Sequence, residues 1–157
     1  MRFQLIAEIV LLLVIANGTP VIIRLLLGTR LDHPLDGNLR FLDGRPLLGP
    51  SKTLRGFIGA ITATALLAPL FGLAPAQGAA FGLLAMSGDL LSSFIKRRLG
   101  IAPSHSAPLL DQLPETLIPL GILYPLLGST AREALVAVLI FIAIDLTFSR
   151  LRDRGKL

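Results

Sequence analysis

The chain has 157 residues, of which 53% are hydrophobic and 16% charged, with no cysteine and a formal net charge of +5. A mean hydropathy of +0.74 is too apolar for an ordinary soluble domain, and the length calls for one domain rather than two. The absence of cysteine excludes disulfides and thiolate metal sites, while His33 and His105 are too few and too far apart for an imidazole site.

Taken in chain order, five apolar spans are expected, in an all-α integral membrane protein with a bundle of about five transmembrane helices. The first runs over about 5–27 and is interrupted by Asn17, Gly18 and Pro20. Its apolar run continues to Leu27 with no small-residue cleavage site, so it is not a cleavable signal peptide. Glu8 and Arg24 lie near its opposite ends and read as reaching the interfaces. A polar loop over about 28–53 leads to the second span, about 54–73, and the third follows over about 76–95. After a loop over about 96–108 comes the fourth, about 109–127, which Pro114, Pro119 and Pro125 should kink or make partly re-entrant. The fifth, about 131–148, carries Asp145 in its last turns, where it snorkels or pairs with a loop cation. Together these make a single membrane domain over 1–157.

The basic residues set the expected orientation. The segment from Gly28 to Arg55 carries Arg30, Arg40, Arg45, Lys52 and Arg55, while Lys96, Arg97 and Arg98 open the second loop and Arg150, Arg152, Arg154 and Lys156 crowd the tail. The turn around Gly72 to Gly78 has none, and that around Gly128 to Glu133 has only Arg132. The positive-inside rule places both loops and the C-terminus in the cytoplasm and the N-terminus outside. The same distribution reads as a membrane flank meeting anionic headgroups, not as a nucleic-acid surface.

Polar residues inside this apolar background carry the chemistry. Asp89, Ser92, Ser93 and Lys96 stand at i, i+3, i+4 and i+7, on one helical face. Snorkelling explains Lys96 to Arg98 at a helix end, but not a carboxylate two turns deeper. Asp89 facing water beside Lys96 suits a phosphate or a hard cation such as Mg2+, which takes carboxylate oxygens and keeps positions for phosphate. Asp111 follows a loop rich in Pro and Ser, and Glu115 shares its face if the segment is helical. An acidic helix start is also ordinary capping chemistry. In the first loop, Phe41 to Gly56 read FLDGRPLLGPSKTLRG, a structured turn region in which Arg45, Lys52, Thr53 and Arg55 offer cations and a hydroxyl to phosphate. It lacks Walker A spacing, and a basic loop that only sets topology is the competing reading. Gly78 and Gly82 permit close helix approach, within the chain or in a homodimer.

In order and spacing, DGRPLLGPSKTLRG, SGDLLSSFIKRR and PLLDQ, together with Asn17 and Pro20, resemble the CDP-archaeol synthase family, short relatives of the CDP-diacylglycerol synthases. Ser92, Ile95, Lys96 and Arg97 match the first half of the larger family's signature. The second half departs, because Asp111 and Gln112 are followed by Leu113, Pro114 and Glu115 where a second Asp is usual. Asp-Gln is the form of the archaeol branch, and Glu115 is the candidate substitute. The resemblance implies a membrane cytidylyltransferase that joins the CMP part of CTP to a lipid phosphate and releases pyrophosphate, with Mg2+. It implicates Asp89 and Asp111 in metal binding, with Glu115 as the third candidate ligand. Lys52, Thr53, Arg55, Lys96 and Arg97 would handle CTP and the lipid phosphate, with Lys96 catalytic, and Arg45, Ser92, Ser93 and Gln112 complete the candidate substrate set. The expected location is the cell membrane, with the site facing the cytoplasm. A non-catalytic transporter subunit or lipid-binding scaffold is the rival from another class, and an ATP-using phosphotransferase is a second.

Overall fold

The computed structural model describes residues 1–103, 105 and 107–153. Arg154 and Lys156, counted above for topology, lie outside the described residues. Five helices follow in order: α1 (Phe3–Leu27), α2 (Leu54–Leu67), α3 (Pro75–Arg98), α4 (Gln112–Leu123) and α5 (Ala131–Asp153). A single 3-10 turn, Ala68–Phe71, extends α2 before Gly72 reverses the chain in the left-handed region at φ +71°. No strand occurs among the described residues, only isolated bridges in the first loop. Phe3–Leu27, Leu54–Phe71 and Pro75–Arg98 are each long and apolar enough to cross a membrane.

Pro20 does not end α1, although its ring removes one backbone donor. Pro114 is tolerated because it falls in the first turn of α4, where N–H groups lack helical partners anyway. Pro119 lies deeper and leaves the Glu115 carbonyl without its usual helical donor. The fourth helix is shorter at both ends than the sequence suggests. Leu109 sits at φ +67°, outside helical space, and the chain turns again from Tyr124 to Gly128. Its 12 residues give a length of about 18 Å, well short of the roughly 30 Å of bilayer hydrocarbon.

Close backbone approach holds the bundle together, as expected where lipid offers no hydrophobic contrast. A Cβ on Gly82 would collide with Thr64 and lie 3.0 Å from the Ile61 Cα, and one on Gly78 would collide with the Thr64 carbonyl. The Gly78/Gly82 pair therefore seats α3 on α2 within the chain. Gly88 does the same for α4, since a Cβ there would lie 2.6 Å from the Glu115 Cα and strike the Pro114 carbonyl. At the far end of the bundle, Ile9, Leu12 and Leu13 of α1 pack with Phe81, Leu120, Leu123, Val138 and Phe141. Arg2 closes that end. Its side chain donates to the Glu133 carboxylate at 2.8 Å, tying the start of α1 to that of α5.

Candidate active site

The opposite end of the bundle gathers the ionisable residues, and the first loop is shaped to present them there. Asp36 is its hub: one carboxylate oxygen accepts the Leu48 and Gly49 N–H groups at 2.8 and 3.2 Å, the other the Asn38 N–H at 3.0 Å. The returning part of the loop then pairs with its outgoing part, Leu35 N–H donating to the Lys52 carbonyl at 2.7 Å and Leu54 N–H to that of His33 at 3.0 Å. Thr53 caps α2, its hydroxyl accepting the Gly56 N–H at 3.3 Å. Lys52 is thus held rigidly at the mouth of the bundle.

From there Lys52 Nζ reaches α3 and donates to both oxygens of Asp89, at 2.6 and 2.7 Å. One face of α3 carries Lys96 seven residues on, and Lys96 Nζ meets Asp111 Oδ1 at 2.8 Å while also donating to the His105 carbonyl at 2.8 Å. Asp111 Oδ2 accepts the Ala107 N–H at 2.8 Å, which folds the second loop onto the start of α4. Helix α3 therefore presents an acid and a base, each paired with the opposite charge from a different neighbour.

Behind these pairs lies a buried polar layer. Gln112 accepts the Leu109 N–H at 2.6 Å and donates to Asp145 Oδ2 at 2.6 Å, linking α4 to α5. That bond also holds Leu109 in its unusual backbone region. Glu115 is 6% exposed and within electrostatic reach of Asp89, Asp145, Lys52 and Asp111. Arg97 is 4% exposed; Nη2 donates to the Ala102 carbonyl at 3.2 Å, but Nε and Nη1 have no partner among the described residues. A buried guanidinium with open donors is costly unless an anion completes it. Beside Lys52 and Asp89 opens a cleft of about 220 Å³, lined by Pro20, Arg24, Asp32, Arg55 and Met86 among others.

The structure brings together Lys52, Asp89, Lys96, Asp111, Gln112 and Glu115 from the sequence-predicted set. Other members have engaged partners. Arg55 fastens the chain after α1, donating to the Gly28 and Arg30 carbonyls and to Asp32 at 2.9 Å. Arg45 donates to the Arg97 and Arg98 carbonyls at the end of α3. Ser92 is buried and donates to the Asp89 carbonyl at 2.9 Å, and Ser93 is buried on the same face. Asp145 pairs with the Gln112 amide and not with a loop cation, one of the two roles expected of it alongside snorkelling. Sequence reasoning missed Asp36, Asp32 and the cleft position of Arg24. Asp36 precedes Gly37, a turn signal that identifies its role without naming its partners.

Among the described residues no three His, Asp or Glu side chains converge closely enough to cage an ion, so Asp89, Asp111 and Glu115 do not form a three-carboxylate set. The donors nonetheless suit Mg2+. Asp89 and Asp111 are hard oxygen ligands, each already holding a cation in the form of a lysine ammonium, and Mg2+ commonly takes one or two carboxylates and completes its shell with water and phosphate.

A family model for CarS-like CDP-archaeol synthase matches residues 3–152, which include every residue of this site. The chain belongs to the CDP-archaeol synthase family. It is 46% identical over 104 residues to the CDP-archaeol synthase of Hyperthermus butylicus, covering 62% of this chain and 59% of that protein. With that of Aeropyrum pernix it shares 36% identity over 152 residues, covering 88% and 84%. The match to the Thermofilum pendens protein spans 51% of its length, so the chain spans half to three-fifths of the first relatives it matches. A solved intramembrane enzyme for archaeal membrane lipids biosynthesis superposes with a TM-score of 0.72 at 37% identity, covering 91% of this chain and 92% of that one.

Proposed function

We propose that this family member is a membrane cytidylyltransferase that transfers CMP from CTP to a lipid phosphate of archaetidic type, releasing pyrophosphate. The observation that carries the reading is the paired arrangement Lys52–Asp89 and Lys96–Asp111 around α3, beside an Arg97 with open donors. Such an array offers carboxylates to a cation and cations to phosphates, at one end of an apolar bundle. The bundle passes the membrane five times, α4 relying on its flanking turns to complete a passage that its helix is too short to make alone, with the N-terminus outside and the site end in the cytoplasm, where CTP is supplied.

The nucleophile is a phosphate oxygen already ionised at neutral pH, so no general base is needed. It attacks the α-phosphorus of CTP; the new P–O bond forms as the bond to the α–β bridging oxygen breaks, and the electron pair leaves on pyrophosphate. The barrier is dominated by the approach of two anions, so positioned positive charge is what the protein must supply. Lys52 and Lys96 are held at the mouth of the site by their carboxylate partners and are placed to turn toward phosphate oxygens. Arg97 stabilises the departing pyrophosphate through Nε and Nη1, which have no partner among the described residues. Asp89 and Asp111 would hold Mg2+, whose chemistry is to neutralise phosphoryl oxygens and favour an in-line geometry. Lipid tails remain in hydrocarbon along the exposed helix faces while the headgroup reaches the polar end.

Purified protein supplied with Mg2+ and CTP labelled on the α-phosphate, with phosphatidate and an archaetidic-type acceptor compared side by side, tests the proposal. Label entering the lipid phase with the ether lipid preferred supports it. Absence of transfer to either acceptor, with no CTP binding, would favour a non-catalytic scaffold.

A further inference from the structure

Part of the first loop has no place in the reaction described above. Residues 39–47 form a small hairpin: Phe41 N–H donates to the Arg45 carbonyl at 2.8 Å, Leu47 N–H to that of Leu39 at 2.8 Å, and Arg40 bridges to Pro46. Leu39 and Leu42 point away from the protein, while Phe41 turns back on it. Leu42 at the tip is 97% exposed, Leu39 62% and Phe41 40%. In water such a tip would be a liability, and no element among the described residues covers it.

The place where the hairpin is fastened explains what meets it. On α3, Leu83, Ser87, Leu91, Phe94 and Arg98 fall at i, i+4, i+8, i+11 and i+15, the stripe opposite the faces seated on α2 and α4. Leu83 and Leu91 are about half exposed, as lipid-facing residues of a membrane span are. The hairpin lies over the last turn of this stripe. The Phe41 ring meets that of Phe94 edge-on at 5.3 Å, and the Arg98 guanidinium stands over both rings at 4.7 and 5.0 Å. Arg98 further donates to Asp43 and to the Pro46 carbonyl, so the hairpin is clamped to the end of the helix. Aromatic rings with arginine at the end of a span mark the headgroup region, where amphipathic side chains sit with apolar parts inward.

We propose that the 39–47 hairpin is a membrane-interface anchor whose tip, Leu42, enters the acyl-chain boundary of the cytoplasmic leaflet. Arg40 and Arg45 are exposed beside the tip and meet the anionic headgroups around it, while Arg98 is engaged in the clamp. The occupant is the bilayer: the hairpin continues the lipid-facing stripe of α3, and the charge flanking its tip is complementary to anionic lipid. This goes beyond the cytidylyltransferase reading and stands whether or not that reading does.

The chain contains no tryptophan and no cysteine, so both probes are free of background. Leu42→Trp is placed in phosphatidylcholine–phosphatidylglycerol vesicles, with and without phosphatidylcholine brominated on its acyl chains, and Leu25→Trp on the exposed face of α1 serves as the lipid-embedded reference. The expected result is blue-shifted emission that loses most of its intensity to brominated lipid and is protected from aqueous iodide. Quenching by iodide with none by brominated lipid overturns the proposal. So does protection from both quenchers, which would mean that a second copy of the chain covers the tip. Because tryptophan itself favours interfaces, a nitroxide on Leu42→Cys provides the second measurement: relaxation by oxygen over a water-soluble nickel chelate supports insertion, and the reverse order contradicts it.

Discussion

Asp89 and Lys52 pair at the mouth of the candidate site, bidentate at 2.6 and 2.7 Å with each side chain about one-fifth exposed. Partial exposure limits what the pair contributes to folding, on the order of 1 kcal/mol or less. In the proposed reaction its value lies in holding a carboxylate and an ammonium where phosphate and cation would meet. Asp89→Asn should therefore lower CMP transfer by at least about 100-fold, the scale of losing a main electrostatic contact to the transition state, while the unfolding temperature in detergent changes little. Near-normal turnover at saturating Mg2+ would remove Asp89 from the reaction. Lys52→Ala should raise the KM for CTP or slow turnover, and a variant unchanged in both would exclude the loop from nucleotide handling. Asp36 acts at one remove. Asp36→Ala strands backbone donors at Leu48 and Gly49, with an expected cost of about 1–3 kcal/mol for a buried donor left unpaired, read as a lower unfolding temperature. Asp89 was legible in the sequence because a carboxylate deep in an apolar helix has few bland explanations. Asp36 was not, because an acid in a polar loop looks like any other until its backbone partners are seen.

At the scale of elements, α3 organises the site by carrying Asp89 and Lys96 on one face and the glycines that seat its neighbours on another. The crossing with α4 is so close at Gly88 that an added methyl would meet backbone, not a flexible side chain. Gly88→Ala should cost about 1–3 kcal/mol through overpacking and separate Asp111 from Lys96, lowering both unfolding temperature and activity. Unchanged stability and activity would show that the crossing is looser. Helix positions were legible from hydropathy, and α3 needed only to be extended through Arg98. The fourth helix was not, because an apolar run does not reveal that Leu109 adopts a positive φ or that the chain turns at Tyr124. The glycine pair left helix packing and dimerisation open in the sequence, and the structure uses it between α2 and α3.

The molecule as a whole has two unlike ends joined by an apolar middle. One end is closed by Arg2 and Glu133, and the other gathers both long loops and the paired charges. A reaction between a soluble nucleotide and a lipid requires this polarity, since the headgroup must reach water-borne CTP while its tails stay in hydrocarbon. Single cysteines introduced at the exposed positions Ser51 and Ala131 should react with an impermeant thiol reagent from opposite sides of sealed vesicles, Ser51 from the cytoplasmic side. Labelling of both from one side would refute the five-span arrangement. The chemistry itself is tested most directly by CTP carrying distinguishable labels on its α- and γ-phosphates, incubated with the protein, Mg2+ and an ether-lipid phosphate. Cytidylyl transfer moves the α label into the lipid phase and leaves the γ label in water as pyrophosphate. A γ label in the lipid would contradict it, identifying a kinase-like transfer in place of cytidylyl transfer.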